Sequence, residues 1–176
     1  MDFPAAPIEE IEPPEKLIAA LGVRAAFVGR TTGGHAETNT LVRVASEAVV
    51  RGARPDFAEL KRAIRGGVIL TAAADDARHD FVSRFFAPYA GIDEDPVTGS
   101  AHCSLGPFWA QRLGKQELTG FQASRRGGLV FVRPAGERVS ISGQAVTLMR
   151  GQFAEDVWRS AYSSSSTPSP SATRLA

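Results

Sequence analysis

The feature that most constrains the fold is a helix with almost no polar face, set behind a turn-rich opening in residues 91–115, GIDEDPVTGSAHCSLGPFWAQRLGK. Ala101, Cys103, Leu105, Phe108, Trp109, Ala110 and Leu113 leave little polar surface until Gln111 and Arg112. A helix apolar nearly all round has no side to offer water, so it is expected in the interior. Pro107 stands inside it. Lacking an N–H, and with a ring that crowds the preceding turn, it predicts an interruption or kink. Asp95-Pro96 suits an N-cap followed by proline at the first helical position, and Thr98 is the other candidate cap, about a turn later. Thr98, Gly99, Ser100 and Ala101 then put small residues at a helix N-terminus, where free amides and the positive dipole end favour an anion.

Such a helix needs a sheet around it, and the rest of the chain supplies strand candidates on both sides. Before it, 23–29 (VRAAFVG), 38–45, 67–73 (GVILTAA) and 81–88 (FVSRFFAP) read as strands, with a turn at 31–34. Helices are expected over EKLIAAL behind Pro14 and closed by Gly22, over SEAVVR closed by Gly52, and from Asp56, whose Asp-x-x-Glu spacing is a capping box, to near Gly66. After it come ELTGFQAS, LVFVRP, RVSISG and QAVTLMRG, four short strand candidates separated by glycine turns. Residues 1–14 are proline-rich and extended, and the acidic run 9–15 is solvated surface. The expected class is α+β, a curved, mostly antiparallel sheet wrapped round the central helix.

Composition narrows the function classes. With 43% hydrophobic and 22% charged residues the chain is globular, and a net charge of +1 gives no general attraction to nucleic acid or to a membrane surface. No run approaches the ~18 apolar residues of a spanning helix. One cysteine and an acidic N-terminal stretch without a signal-peptide pattern fit a reducing, cytoplasmic setting. Three scattered histidines and no cysteine cluster give no zinc pattern.

The string EDPVTGSAH (94–102) with the following PFWAQRLGK resembles the PhzF-like family of phenazine-biosynthesis isomerases. So do DFVSRFFAP, FQASRRGG (121–128), SGQAVTLMRG (142–151) and the opening MDFPA, in the same order. The resemblance implies a diaminopimelate-epimerase-like fold: two similar lobes, each a barrel-like sheet around a central helix, with the active site between them. It implies no metal and no organic cofactor. In the phenazine enzyme that names the family, a first-lobe carboxylate removes a proton from a dihydro-anthranilate acid, and groups of both lobes relay it. Position by position, the second-lobe roles fall on Asp95 and Ser100 as catalytic residues. Thr98, Gly99 and Ala101 would bind the substrate carboxylate through the backbone. MDFPA resembles an interior segment near the crossover between lobes. Residues 1–153 therefore correspond to the C-terminal lobe alone, followed by a polar extension and a disordered Ser/Thr/Pro tail over 154–176, and the glutamate base is expected elsewhere. Gly34-His35-Ala36 matches a first-lobe motif only by coincidence of composition.

Each candidate has a plainer reading. Asp95 is a proton relay or simply a helix cap, and both roles are compatible. His102 either takes part at the site as a proton relay or substrate contact, or is satisfied inside the core. Cys103 falls within the apolar helix, where an inert packed thiol is the default. Arg125 and Arg126 are anion ligands or exposed turn charges. The sequence thus supports a cofactor-independent isomerase or epimerase of a small carboxylic acid. It would be completed by forming a homodimer or by joining a first-lobe chain. A lobe that keeps the anion site without the base is the rival.

Overall fold

The computed structural model describes residues 1–32 and 38–151, and its compact body is Met1–Gln144. Its strands are β1 Asp2–Pro4, β2 Ile8–Glu10, β3 Phe27–Thr31, β4 Thr40–Arg43, β5 Val68–Ala73, β6 Phe81–Ala87, β7 Ile92–Asp95, β8 Leu118–Gln122, β9 Gly128–Ala135 and β10 Arg138–Ser142. Its helices are α1 Glu15–Leu21, α2 Glu47–Gly52, α3 Phe57–Ala63 and α4 Gly99–Leu113. The strands form a single ten-stranded sheet in the order β1-β10-β9-β8-β6-β5-β4-β3-β2, with β7 paired to β6. The β4–β5 and β6–β8 pairs are parallel and the others antiparallel. The two outermost strands, β1 and β2, are separated by only Ala5, Ala6 and Pro7. Four Cα steps reach about 14 Å at full extension, so the two ends of the sheet are forced together and the sheet curls.

What it curls around is α4. Side chains from both ends of the sheet converge on that helix: Leu41, Ile69, Phe81, Phe85 and Leu118 pack with Leu105, Phe108 and Trp109, and Val130, Val132, Val139 and Ile141 pack with Cys103. Gly106 lets the helix approach β9, since a Cβ there would lie 2.5 Å from Val132 Cγ1. Trp109 stacks on Phe81 and donates from Nε1 to the buried Thr71 hydroxyl at 3.0 Å, so its polar edge is satisfied. The outer face of β3–β6 carries α1, α2 and α3, whose Leu17, Leu21, Val50 and Leu60 meet Val28, Val42, Leu70 and Phe86. The central strands β5 and β6 are therefore covered on both faces, which explains their nearly unbroken apolar runs. In β9, by contrast, Val130 and Val132 point inward while Leu129 and Phe131 are exposed.

Several expectations needed correction. Pro107 does not interrupt α4, which runs unbroken from Gly99 to Leu113. Its missing N–H leaves the Cys103 carbonyl without the usual partner, and the Ala6 N–H supplies one at 3.1 Å. Asp95 does not cap the helix; it ends β7, and Thr98 is the N-cap. The strand expected over 23–29 is displaced to 27–31, and the third helix ends at Ala63, short of Gly66. Residues 144–151 form no strand. The opening MDFPA, within a stretch expected only to be extended, forms β1 and pairs with β10, Phe3 opposite Val139. Gly34-His35-Ala36 and the Ser/Thr/Pro tail lie outside the described residues.

Candidate functional site

The site is built where β7 turns into α4. Asp95 lies opposite Phe85 of β6, in a pairing loosened by a bulge before Ala87 and Ile92. The preceding Glu94 fixes that strand by receiving two bonds from Arg84, Nε at 2.7 Å and Nη2 at 2.9 Å, while Arg84 Nη1 reaches the Ala53 carbonyl at 2.8 Å. A mostly buried arginine in the apolar run of β6 is thus paired and satisfied.

Between Asp95 and the helix, the backbone is organised by one fully buried amide, Gln122 at the end of β8. Its Nε2 donates to the Asp95 carbonyl at 2.8 Å and to Thr98 Oγ1 at 3.2 Å, and its Oε1 accepts from the Thr98 N–H at 2.9 Å. The Thr98 hydroxyl, receiving from Gln122, gives its own proton to the Asp95 carboxylate. Thr98 therefore makes no side-chain cap on its own helix. The first-turn amides of α4 lack the oxygen that an N-cap threonine usually gives them, and the anion-favouring end of the helix is open beside a fixed carboxylate.

The six residues singled out from sequence divide into two groups. Asp95 and Thr98 are directly bonded, and Gly99 and Ser100 are exposed on the first turn that follows. Ala101 and His102 instead turn their side chains inward. His102 is fully buried against Phe81, and its Nδ1 donates to the Thr98 carbonyl of its own helix at 2.8 Å. Burial pushes its pKa below the usual histidine value, against a smaller upward pull from that bond, which keeps the ring neutral. Its Nε2 has no partner among the described residues. Cys103 is buried, and burial pushes its thiol pKa up, as suits a packed, unreactive side chain. Among the described residues no three His, Cys, Asp or Glu side chains gather as metal ligands would, and no helix is long and apolar enough to cross a membrane.

Gln122 was missed by the sequence reading, although the signal was present. Leu118, Gly120 and Gln122 alternate along one strand face, so period two points Gln122 inward with its neighbours. An amide on an inward face must find several partners, and that alone marks it.

A mixed sheet curled as a half-barrel round one buried helix, with an open helix end beside a carboxylate, is the diaminopimelate-epimerase-like arrangement. The family model for phenazine biosynthesis-like proteins, PhzC-PhzF, matches residues 1–151, and the chain belongs to that family. A relative in Pseudomonas aeruginosa named as an uncharacterized isomerase is 51% identical over 153 residues, which cover 87% of this chain and 56% of the relative. Another of that description, from Halalkalibacterium halodurans, is 39% identical over 154 residues, again 56% of its length. The crystal structure of a PhzF-family protein from Enterococcus faecalis superposes with a TM-score of 0.73 at 38% identity, covering 81% of this chain and 52% of that one. The chain spans about half the length of the relatives it matches.

Proposed function

We propose that this chain forms one wall of a cofactor-independent isomerase or epimerase that moves a proton on a small carboxylic acid. The observation that carries the reading is the Thr98 hydroxyl, turned from its own helix to the Asp95 carboxylate and held there by Gln122. That arrangement leaves the amides at Gly99, Ser100 and Ala101 to receive the substrate carboxylate. Asp95 and the Ser100 hydroxyl then relay the proton or orient the acid. Donors fixed at the carboxylate favour the enol-like state in which its oxygens carry the charge left by the departing C–H proton. Relatives named as isomerases support the same class of chemistry.

The base that first removes the proton has no candidate in the described site. Glu94 is held by Arg84, and Glu9 and Glu10 lie on the outermost strand β2. Glu12 follows that strand without a base motif around it, and Glu37 lies outside the described residues. The proposal therefore includes association, as a homodimer or with a separate first-lobe chain, to bring a glutamate to this wall. Hydrogen exchange of a candidate acid in D₂O tests it, with the chain alone and then mixed with a first lobe from a related enzyme. Exchange is expected only in the mixture or in a dimer, and should fall by about 10²-fold or more in Asp95→Asn. A carboxylate that binds at residues 98–102 without exchanging under any condition identifies a non-catalytic anion-binding lobe instead. Exchange by the monomer, abolished when one of its own glutamates becomes Gln, removes the need for a partner.

A further inference from the structure

We infer that His102 is a positioning residue of the site: from inside the core it fixes the peptide that presents the first amide of α4 to a bound carboxylate. This rests on the helix-end reading proposed above and adds to it a residue that never touches the ligand. Thr98 is where the two meet, because all its polar groups are taken. Its N–H donates to Gln122 Oε1 at 2.9 Å, its hydroxyl lies between Gln122 Nε2 and the Asp95 carboxylate, and its carbonyl accepts from His102 Nδ1 at 2.8 Å. The last bond is one more than the helix needs. The carbonyl of an N-cap residue already accepts the first bond of its helix, so the imidazole is a second donor on the same oxygen. A carbonyl only accepts, so the neutral ring carries its hydrogen on Nδ1 and leaves Nε2 as a bare acceptor.

That oxygen belongs to the same rigid plane as the Gly99 N–H, and in a trans peptide the two point in opposite directions. With the carbonyl held by a ring that is itself fully buried, the Gly99 N–H is aimed out of the helix end, where Gly99 and Ser100 are exposed. Two donors on one carbonyl also polarise the peptide, and each bond in such a chain gains about 10–30% in strength. The gain falls on the Gly99 N–H, which has no acceptor within its own helix. A Cβ at Gly99 would meet nothing within 4 Å, so a small carboxylate has room to reach that amide.

Packing alone does not call for a histidine here. The ring lies with its centroid 6.0 Å from that of Phe81, and its Nε2 has no partner among the described residues. A leucine would fill much of the same space with no polar atom to satisfy, and a buried nitrogen left unpaired is costly. What leucine cannot supply is the second donor to the Thr98 carbonyl. The histidine thus gives up stability in the core for control of the peptide at the helix end.

The test is an NMR titration of the isotope-labelled full chain with benzoate, comparing the unaltered chain with H102L and H102N. Asparagine carries its amide nitrogen where the imidazole carries Nδ1, so it keeps the donor that leucine removes. Benzoate should move the amides of residues 99–101 in the unaltered chain. It should bind about threefold to tenfold more weakly to H102L, the scale of one weakened hydrogen bond, and to H102N within about twofold of the unaltered affinity. The Thr98 carbonyl ¹³C resonance should move upfield in H102L and stay near its place in H102N. Long-range ¹H–¹⁵N correlation on the unaltered chain should find the ring hydrogen on Nδ1, a result independent of whether either variant folds. Equal losses in the two variants, an unchanged affinity in H102L, or a hydrogen on Nε2 overturns the role of His102 and leaves the helix-end site standing. If benzoate does not move 99–101 in the unaltered chain, the helix-end reading itself is wrong and the inference goes with it.

Discussion

Helix α4 departs from ordinary helical bonding in two places, its middle and its N-terminus, and the fold treats them in opposite ways. In the middle, Pro107 deprives the Cys103 carbonyl of its donor, and the fold brings in the Ala6 N–H from the link between the two outermost strands. At the N-terminus, Thr98 could cap its helix but binds Asp95 instead, and the first-turn amides receive no side-chain oxygen. The first gap lies in the packed core, where an unpaired carbonyl has no water to turn to and is costly. The second lies at the surface, where leaving amides uncapped costs about 1 kcal/mol and leaves open the end that we propose receives the substrate carboxylate. A defect that the fold repairs reads as structure, and one it could repair but leaves open reads as function.

The comparison can be tested from its heavier side first. Trp109→Ala removes the ring stacked on Phe81 and the N–H that donates to the Thr71 hydroxyl, and should cost about 3–5 kcal/mol in denaturant unfolding. An unchanged midpoint would mean that the middle of α4 is not the core. Ala6→Pro removes the donor to Cys103 and should cost about 1–3 kcal/mol. Combining it with Pro107→Ala, which restores an intrahelical N–H, should return part of that loss; strictly additive costs would show that the Ala6 bond does not compensate for the proline.

His102 lies between the two regions and should reveal itself through pH. Its folded pKa is held below the ordinary 6.5, chiefly by burial, so as pH falls through that value the unfolded chain takes up a proton that the native chain refuses. Its stabilising effect is complete above about pH 6.5 and declines on acidification, by up to ~1.4 kcal/mol per pH unit. His102→Gln should flatten the stability curve between pH 7 and 5; a slope as steep as before would assign the effect to other groups. The smallest stability effect is expected at the open end. A Cβ at Gly99 would meet nothing within 4 Å, so Gly99→Val should shift unfolding by less than about 1 kcal/mol while obstructing the approach of a carboxylate. Undiminished benzoate binding by that variant would remove the helix end from the site.

Much of the fold could be read in advance because its signals are local. The apolar runs at 67–73 and 81–88 announced the strands β5 and β6, Asp56 caps α3 through the Glu59 N–H as its spacing implied, and Gly22 closes α1 in the left-handed conformation. Strand β7 was missed because Ile-Asp-Glu-Asp is polar and largely exposed; it forms by bonding to β6, and no side-chain alternation marks it. The reverse error occurred at 144–151, where β-propensity suggested a strand. Propensity sets only a preference, and a strand exists only where a neighbour accepts its bonds.

The same division runs through the site. The residue types around Asp95 and the small residues that follow are written in the chain, and so are the apolar content of α4 and the family these strings belong to. Only the tertiary structure decided that Thr98 serves Asp95 rather than its helix, that Gln122 directs it there, and that Arg84 occupies the Glu94 carboxylate. The partners of these groups lie 24 to 28 residues away for Gln122 and Ser124, and farther still for Ala6. Hydrogen bonds act over about 3 Å, and sequence carries no measure of which distant groups the folded chain will bring within that reach.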